Sequence, residues 1–248
     1  MSLPTLTTHR TTTPTSLTTA HHLLASSIAQ QRQLAAYTLI THPLSLSLYM
    51  LLLATLYACL PHLAVFFTTG AGVTMALLVG VRVAVAGYIE EAERVGRDRA
   101  GWVGGAVSGG GSGGEDGVDV EMEQVVVVAE WDDRVVGVVV VGVDTRERKG
   151  VVRAWTVALR MRGLGVGREV LREAVKVVRE KCGEKGGEGG AGVRVVFDER
   201  HANSLRVLPA MFNDVFERQD RKARRVLESV QAELDKEMAS ERKEKSSR

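Results

Sequence analysis

The chain has 248 residues, 45% of them apolar, a formal net charge of +2 and two cysteines, Cys59 and Cys182. The apolar share supports one good core with material to spare, and so small a charge excludes a nucleic-acid partner. Two cysteines supply neither a disulfide framework nor a zinc spacing, so no metal is expected. The charge is also uneven: no Asp or Glu precedes Glu90, and the first third carries only Arg10, Arg32 and Arg82 besides histidines.

Residues 1–43 form a Ser/Thr-rich segment. Its composition resembles a mitochondrial transit peptide, but only Arg10 and Arg32 supply charge. A helix is expected over about 16–38, with Leu23, Leu24, Ile28 and Leu34 as its apolar positions.

Residues 44–89 read as a transmembrane helical hairpin. The run 44–67 is almost uninterrupted apolar sequence and as a helix would reach about 36 Å, enough to cross a bilayer. Pro61 and His62 interrupt it near the far end. Thr68-Thr69-Gly70-Ala71-Gly72 reads as the turn, and the run 73–89 as the return. Arg82 sits near the centre of that return, where a guanidinium costs about 2.5–3.5 kcal/mol, so the second pass needs tilt, snorkelling or pairing with the first helix. A re-entrant hairpin is the close alternative. The hairpin implies membrane lipid as a partner and an intracellular membrane as the location. The endoplasmic reticulum is expected rather than the mitochondrion, with the rest of the chain in the cytosol.

Residues 90–123 read as a linker, its Gly-Gly-Gly-Ser-Gly-Gly run flexible and low in complexity. The next unit is 124–216. A valine-rich strand, 124–130, a polar turn, Trp131-Asp132-Asp133-Arg134, and a second strand, 135–143, make a hairpin. A third strand, 151–159, leads through Arg162-Gly163-Leu164-Gly165-Val166-Gly167 into an amphipathic helix, 168–181. A glycine-rich loop, 184–192, a fourth strand, 193–198, and a short helix, 204–212, follow. The order β-β-β-α-β-α predicts an α/β (α+β) domain with a mixed sheet and flanking helices. Residues 217–248 form a charged helix with Leu227, Val230, Leu234 and Met238 at helical spacing.

A glycine turn between strand and helix is a site for phosphate, since free amides and the helix dipole meet there. A Walker A loop would need Gly-Lys-Ser/Thr, which is absent, and the spacing Gly163, Gly165, Gly167 is wrong for a dinucleotide fingerprint.

The segment from Val157 through Gly167, continuing into Leu171 and Ala174, resembles the acetyl-CoA motif of the GNAT superfamily of N-acetyltransferases. The pattern there is Arg/Gln-x-x-Gly-x-Gly/Ala, matched by Arg162, Gly165 and Gly167. The resemblance covers about 124–216, and the upstream hairpin is similar to membrane-bound, camello-like members. It implies acetyl-CoA as cosubstrate and an amine of a protein or small molecule as acceptor. It also implies that amides from Arg162 through Gly163, Leu164, Gly165, Val166 and Gly167 cradle the pyrophosphate. Arg162 or Arg168 would add charge. Val157, Ala158 and Leu159 would offer backbone groups to the pantetheine arm and the thioester carbonyl, and Asn203 would contact the cofactor or cap a helix.

Two departures from the family stand out. Pro209, Ala210, Met211 and Phe212 occupy the place of the usual tyrosine acid, and the chain after Glu217 reads as helix where a final β-hairpin is usual. Glu199 and His201, with Glu130 as another option, are the candidate general bases. The expected function is therefore a membrane-anchored N-acetyltransferase, with a non-catalytic membrane adaptor of the same fold as the alternative.

Overall fold

The computed structural model describes residues 5–97, 122–186, 192–199 and 201–246. A five-stranded sheet carries the fold, in the order β1 (Leu6–Arg10), β2 (Glu123–Trp131), β3 (Arg134–Asp144), β4 (Lys149–Val157) and β5 (Arg194–Phe197). The first three pairings are antiparallel and β4–β5 is parallel, so the mixed sheet with flanking helices is as the sequence predicts. Asp132 and Asp133 both have positive φ, 52° and 57°. Two such residues in a two-residue turn match the right-handed twist of the flanking strands.

The valine runs are continuous because both sheet faces are covered. Val125, Val127, Val139, Val141 and Val152 face helix α5 (Val166–Gly186) and the long C-terminal helix α6 (Asp214–Ser246). Val126, Val128, Val138, Val140 and Ala154 face α1 (Pro14–Thr41) and α4 (Gly87–Arg97). Leu227, Val230 and Leu234 of α6 are buried as their spacing predicts, and Met238 is half-buried.

The N-terminal segment differs from its expected role as a separate unit. Residues 6–10 pair along β2, Leu6 opposite Trp131 and Arg10 opposite Val127. Helix α1 buries Ala20, Leu24 and Ile28 on the sheet. Sheet and core therefore draw on chain well before Gln124.

The apolar hairpin is inserted between α1 and α4. Helix α2 (Pro43–Cys59) buries no residue, and α3 (Leu63–Ala84) buries only Gly70. The bend falls at Pro61 and His62 rather than at 68–72, which lies inside α3. Proline cannot donate to the helix ladder, whereas Gly70 packs against Leu53 of α2 (3.7 Å to a Cβ position). Tyr49 Oη and Thr74 Oγ1 bond across the two helices at 2.9 Å. The helical run Leu63–Arg97 is long and apolar enough to cross a membrane, with mean hydropathy 1.9 over its most apolar window.

One further expectation changes. Residues 204–212 form no helix beyond a 3-10 turn at Ala210–Phe212, because Pro209 keeps the preceding residue out of the helical region. Leu205, Val207 and Leu208 instead pack beside Tyr88 and Phe216. The glycine-rich linker run and most of the loop before β5 lie outside the described residues.

Candidate functional site

Strand β5 is paired along its whole length but ends at Phe197, while β4 runs on to Val157. Their ladder ends at Val152 opposite Phe197. The pairing of β4 with β3 shifts between Val140 and Val141, leaving Arg153 as the extra residue of a bulge. A bulge bends its strand and adds twist, and this one falls where the pairing of β4 with β5 stops. Ala202 N–H donates to Arg153 O at 2.8 Å, and Asn203 Nδ2 donates to Trp155 O at 3.2 Å. Asn203 thus bonds β4 past the end of β5. No helix follows it, so it caps none; its own N–H donates to His201 Nδ1 at 3.2 Å.

A cleft of about 650 Å³ opens there. Val157, Leu159, Arg162, Gly163, Gly167, His201 and Asn203 line it, as do residues the sequence did not suggest: Ser27, Gln30 and Gln31 of α1, and Gln219, Asp220 and Arg224 of α6.

Arg162, Gly163 and Gly167 of the glycine turn form part of the wall. Gly163 and Gly165 have φ of 86° and 85°, a region where a side chain is strained. The amides from Gly163 through Gly167 donate to no acceptor among the described residues. Open donors at a helix N-terminus are what an oxyanion needs, and Gly163 and Gly167, at the two ends of the row, line the cleft. Gly167 is tight for another reason: an added Cβ would lie 2.9 Å from Trp155 Cζ2.

The other expected residues are placed variously. Leu159 is not on the strand but in a 3-10 turn, Leu159–Met161, and is 63% exposed. Ala158 N–H is bonded to Val136 O at 2.8 Å, so it is not offered to a ligand. That bond makes Val157 and Gly137 a non-hydrogen-bonded pair, and the N–H of Val157 therefore points to the open side of β4. Leu164 is exposed and Val166 buried in the core; neither they nor Gly165 line the cleft. Arg162 turns toward α1, donating to Val157 O at 3.1 Å and Gln30 Oε1 at 2.9 Å. Arg168 is ion-paired with Glu233 of α6, and that hydrogen bond holds the Glu233 carboxyl below its usual range.

Glu199 is exposed and outside the cleft wall. His201 lines the cleft, with its ring 5.8 Å from that of Phe197. Because Nδ1 accepts the Asn203 amide, the neutral ring carries its proton on Nε2, which faces Asp220 Oδ1 at 3.7 Å. Burial pulls the His201 pKa down, with Asp220 opposing, so the ring is neutral at pH 7. Asp220, the sole carboxylate of the cleft wall among the described residues, also pairs with Arg206. No tyrosine lines the wall; Tyr88 is buried, its hydroxyl accepting Val207 N–H at 3.5 Å.

No curated protein and no solved structure matches the chain. The stretch 115–186 runs through β2, β3, β4, the glycine turn and α5, and it matches the model of the acetyltransferase (GNAT) family.

Proposed function

We propose that this protein is an N-acetyltransferase that moves an acetyl group from acetyl-CoA to an amine. In this reading the apolar hairpin α2–α3 holds it at an intracellular membrane. The observation that carries the chemistry is the row of open amides from Gly163 through Gly167 beside the end of β4 that runs past β5. The pyrophosphate of coenzyme A fits those amides, and the pantetheine arm fits the open edge of that end. The Val157 N–H, on the open edge, is placed to stabilise the oxyanion as the amine attacks the thioester carbon. Such a donor is worth about 2.7–4 kcal/mol where it has been removed. The C–S bond then breaks, the nitrogen gives up its extra proton to water as the amide forms, and the thiolate takes a proton from water.

The test is acetyl-CoA binding by the full chain, read by calorimetry, followed by an amine-acceptor screen. Gly165→Asp places a strained side chain and a negative charge at the phosphate site, and affinity should fall at least about tenfold. Unchanged affinity would remove the glycine turn from the site.

One observation favours the adaptor reading: Arg162 and Arg168, the two cations expected near phosphate, are engaged by Gln30 and Glu233. Binding of acetyl-CoA with no transfer to any amine would select it.

A further inference from the structure

A second groove, of about 460 Å³, lies where α1 meets α3 at the foot of the hairpin. Ile40, Leu78 and Val81 give it an apolar wall, and Arg32 and Arg82 a cationic one. Ile40 and Leu78 are 42% and 47% exposed. Neither guanidinium makes a hydrogen bond or ion pair among the described residues. Of the acids that follow in α4, Glu90 pairs with neither arginine among the described residues, while Glu91 is held by Arg94 and Glu93 by Arg97.

We infer that this groove holds one anionic phospholipid, its phosphate between Arg32 and Arg82 and an acyl chain along Ile40, Leu78 and Val81. The inference rests on the membrane-anchored reading. Arg82 sits within the last turn of α3, which ends at Ala84. With the hairpin inserted, that turn comes to the headgroup layer, where arginine side chains snorkel to phosphate. A guanidinium fork matches a phosphate in two parallel bonds, and the first third of the chain offers no carboxylate in its place. A free phosphate would meet the same two cations but leave the apolar wall uncovered. A lipid satisfies both walls.

The experiment uses the full chain in detergent, with lipid adducts counted by native mass spectrometry against added phosphatidic acid or phosphatidylcholine. Phosphatidic acid should be retained at least about tenfold better. Arg32→Gln with Arg82→Gln should abolish the preference, and so should most of it go with Arg82→Gln alone, an exposed change that the fold tolerates. Neither arginine lines the catalytic cleft, so the melting shift with acetyl-CoA serves as the check on folding. Equal retention of the two lipids, an unchanged preference in Arg82→Gln, or displacement by inorganic phosphate would each overturn the inference. Carbonate extraction of membranes is run alongside. A wild-type chain that resists extraction but shows no preference loses only this inference, whereas one that is extracted loses the anchoring reading with it.

Discussion

Gly167, at the start of α5, and His201, in the segment after β5, both line the cleft. At Gly167 a methyl group would press on Trp155 and Val157, and the indole Nε1–H already bonds Gly167 O at 3.2 Å. The turn is therefore clamped to β4, and its open amides keep one direction. His201 is held as firmly, through Asn203 N–H on one side and Asp220 on the other. Its burial has a consequence for pH. The unfolded imidazole titrates near about 6.5, and the folded one lower. The unfolded chain thus binds this proton more readily. The stability the neutral ring contributes is full above about pH 6.5 and is lost as the pH falls through the folded value. His201→Gln keeps an acceptor for the Asn203 amide but removes the titration. Its melting temperature should fall less than that of the wild type between about pH 7.5 and 5. Parallel profiles would mean that carboxylates alone set the acid limit.

Helix α6 stands where a last strand pair would cover the sheet edge. Gln231 does the covering: Val195 N–H donates to its Oε1 at 3.1 Å, and its Nε2 donates back to Val195 O at 3.0 Å. One amide side chain thus imitates a neighbouring strand on an edge that would otherwise invite pairing. Gln231→Leu strands both backbone groups of the buried Val195 and should cost about 1–3 kcal/mol in urea unfolding. Arg172→Ala, which breaks the exposed pair with Glu237 (2.5 Å), should cost less than about 1 kcal/mol. Equal costs would mean that α6 is held by its charges and not by its fit to the edge. The same elements show what was readable beforehand. Strands β2 to β4 announce themselves by valine runs and a two-aspartate turn. Strand β1, Leu-Thr-Thr-His-Arg, is an exposed edge with one apolar side chain in the core, and such a strand has no pattern to find. Ser27, Gln30 and Gln31 are polar residues on a helix far from β4 in sequence. Only the packing of α1 over the sheet makes them cleft wall, just as α6 brings in Asp220.

For the whole molecule, the question is why two long helices that bury almost nothing are threaded through an otherwise packed domain. Leu48 and Phe67 are 67% and 68% exposed, and Leu51 and Met75 nearly as much. So much contiguous apolar surface is not tolerated in water without a partner, while in a bilayer a helix satisfies all its backbone groups and such side chains are at home. The insertion point suits this division of labour. Helices α1 and α4, on either side of the hairpin, pack on the same sheet face, joined by His21 Nε2 and Val95 O at 2.7 Å. The two ends of the hairpin are therefore held together by the domain and leave it on the same side, with Arg32, Arg82, Arg94 and Arg97 flanking an uncharged stretch. In the membrane-anchored reading, such a bias of arginines to one side of the span puts the domain on the cytosolic side. It follows that the hairpin is separable. Replacing residues 43–84 by a short Gly-Ser linker should move the chain from the carbonate-resistant pellet to the soluble fraction. The melting shift with acetyl-CoA should stay as in the full chain, since the glycine turn, the end of β4 and the α1 wall keep their supports. A variant that stays in the pellet would place the membrane contact elsewhere. One that loses its acetyl-CoA response would show that the hairpin shapes the cleft.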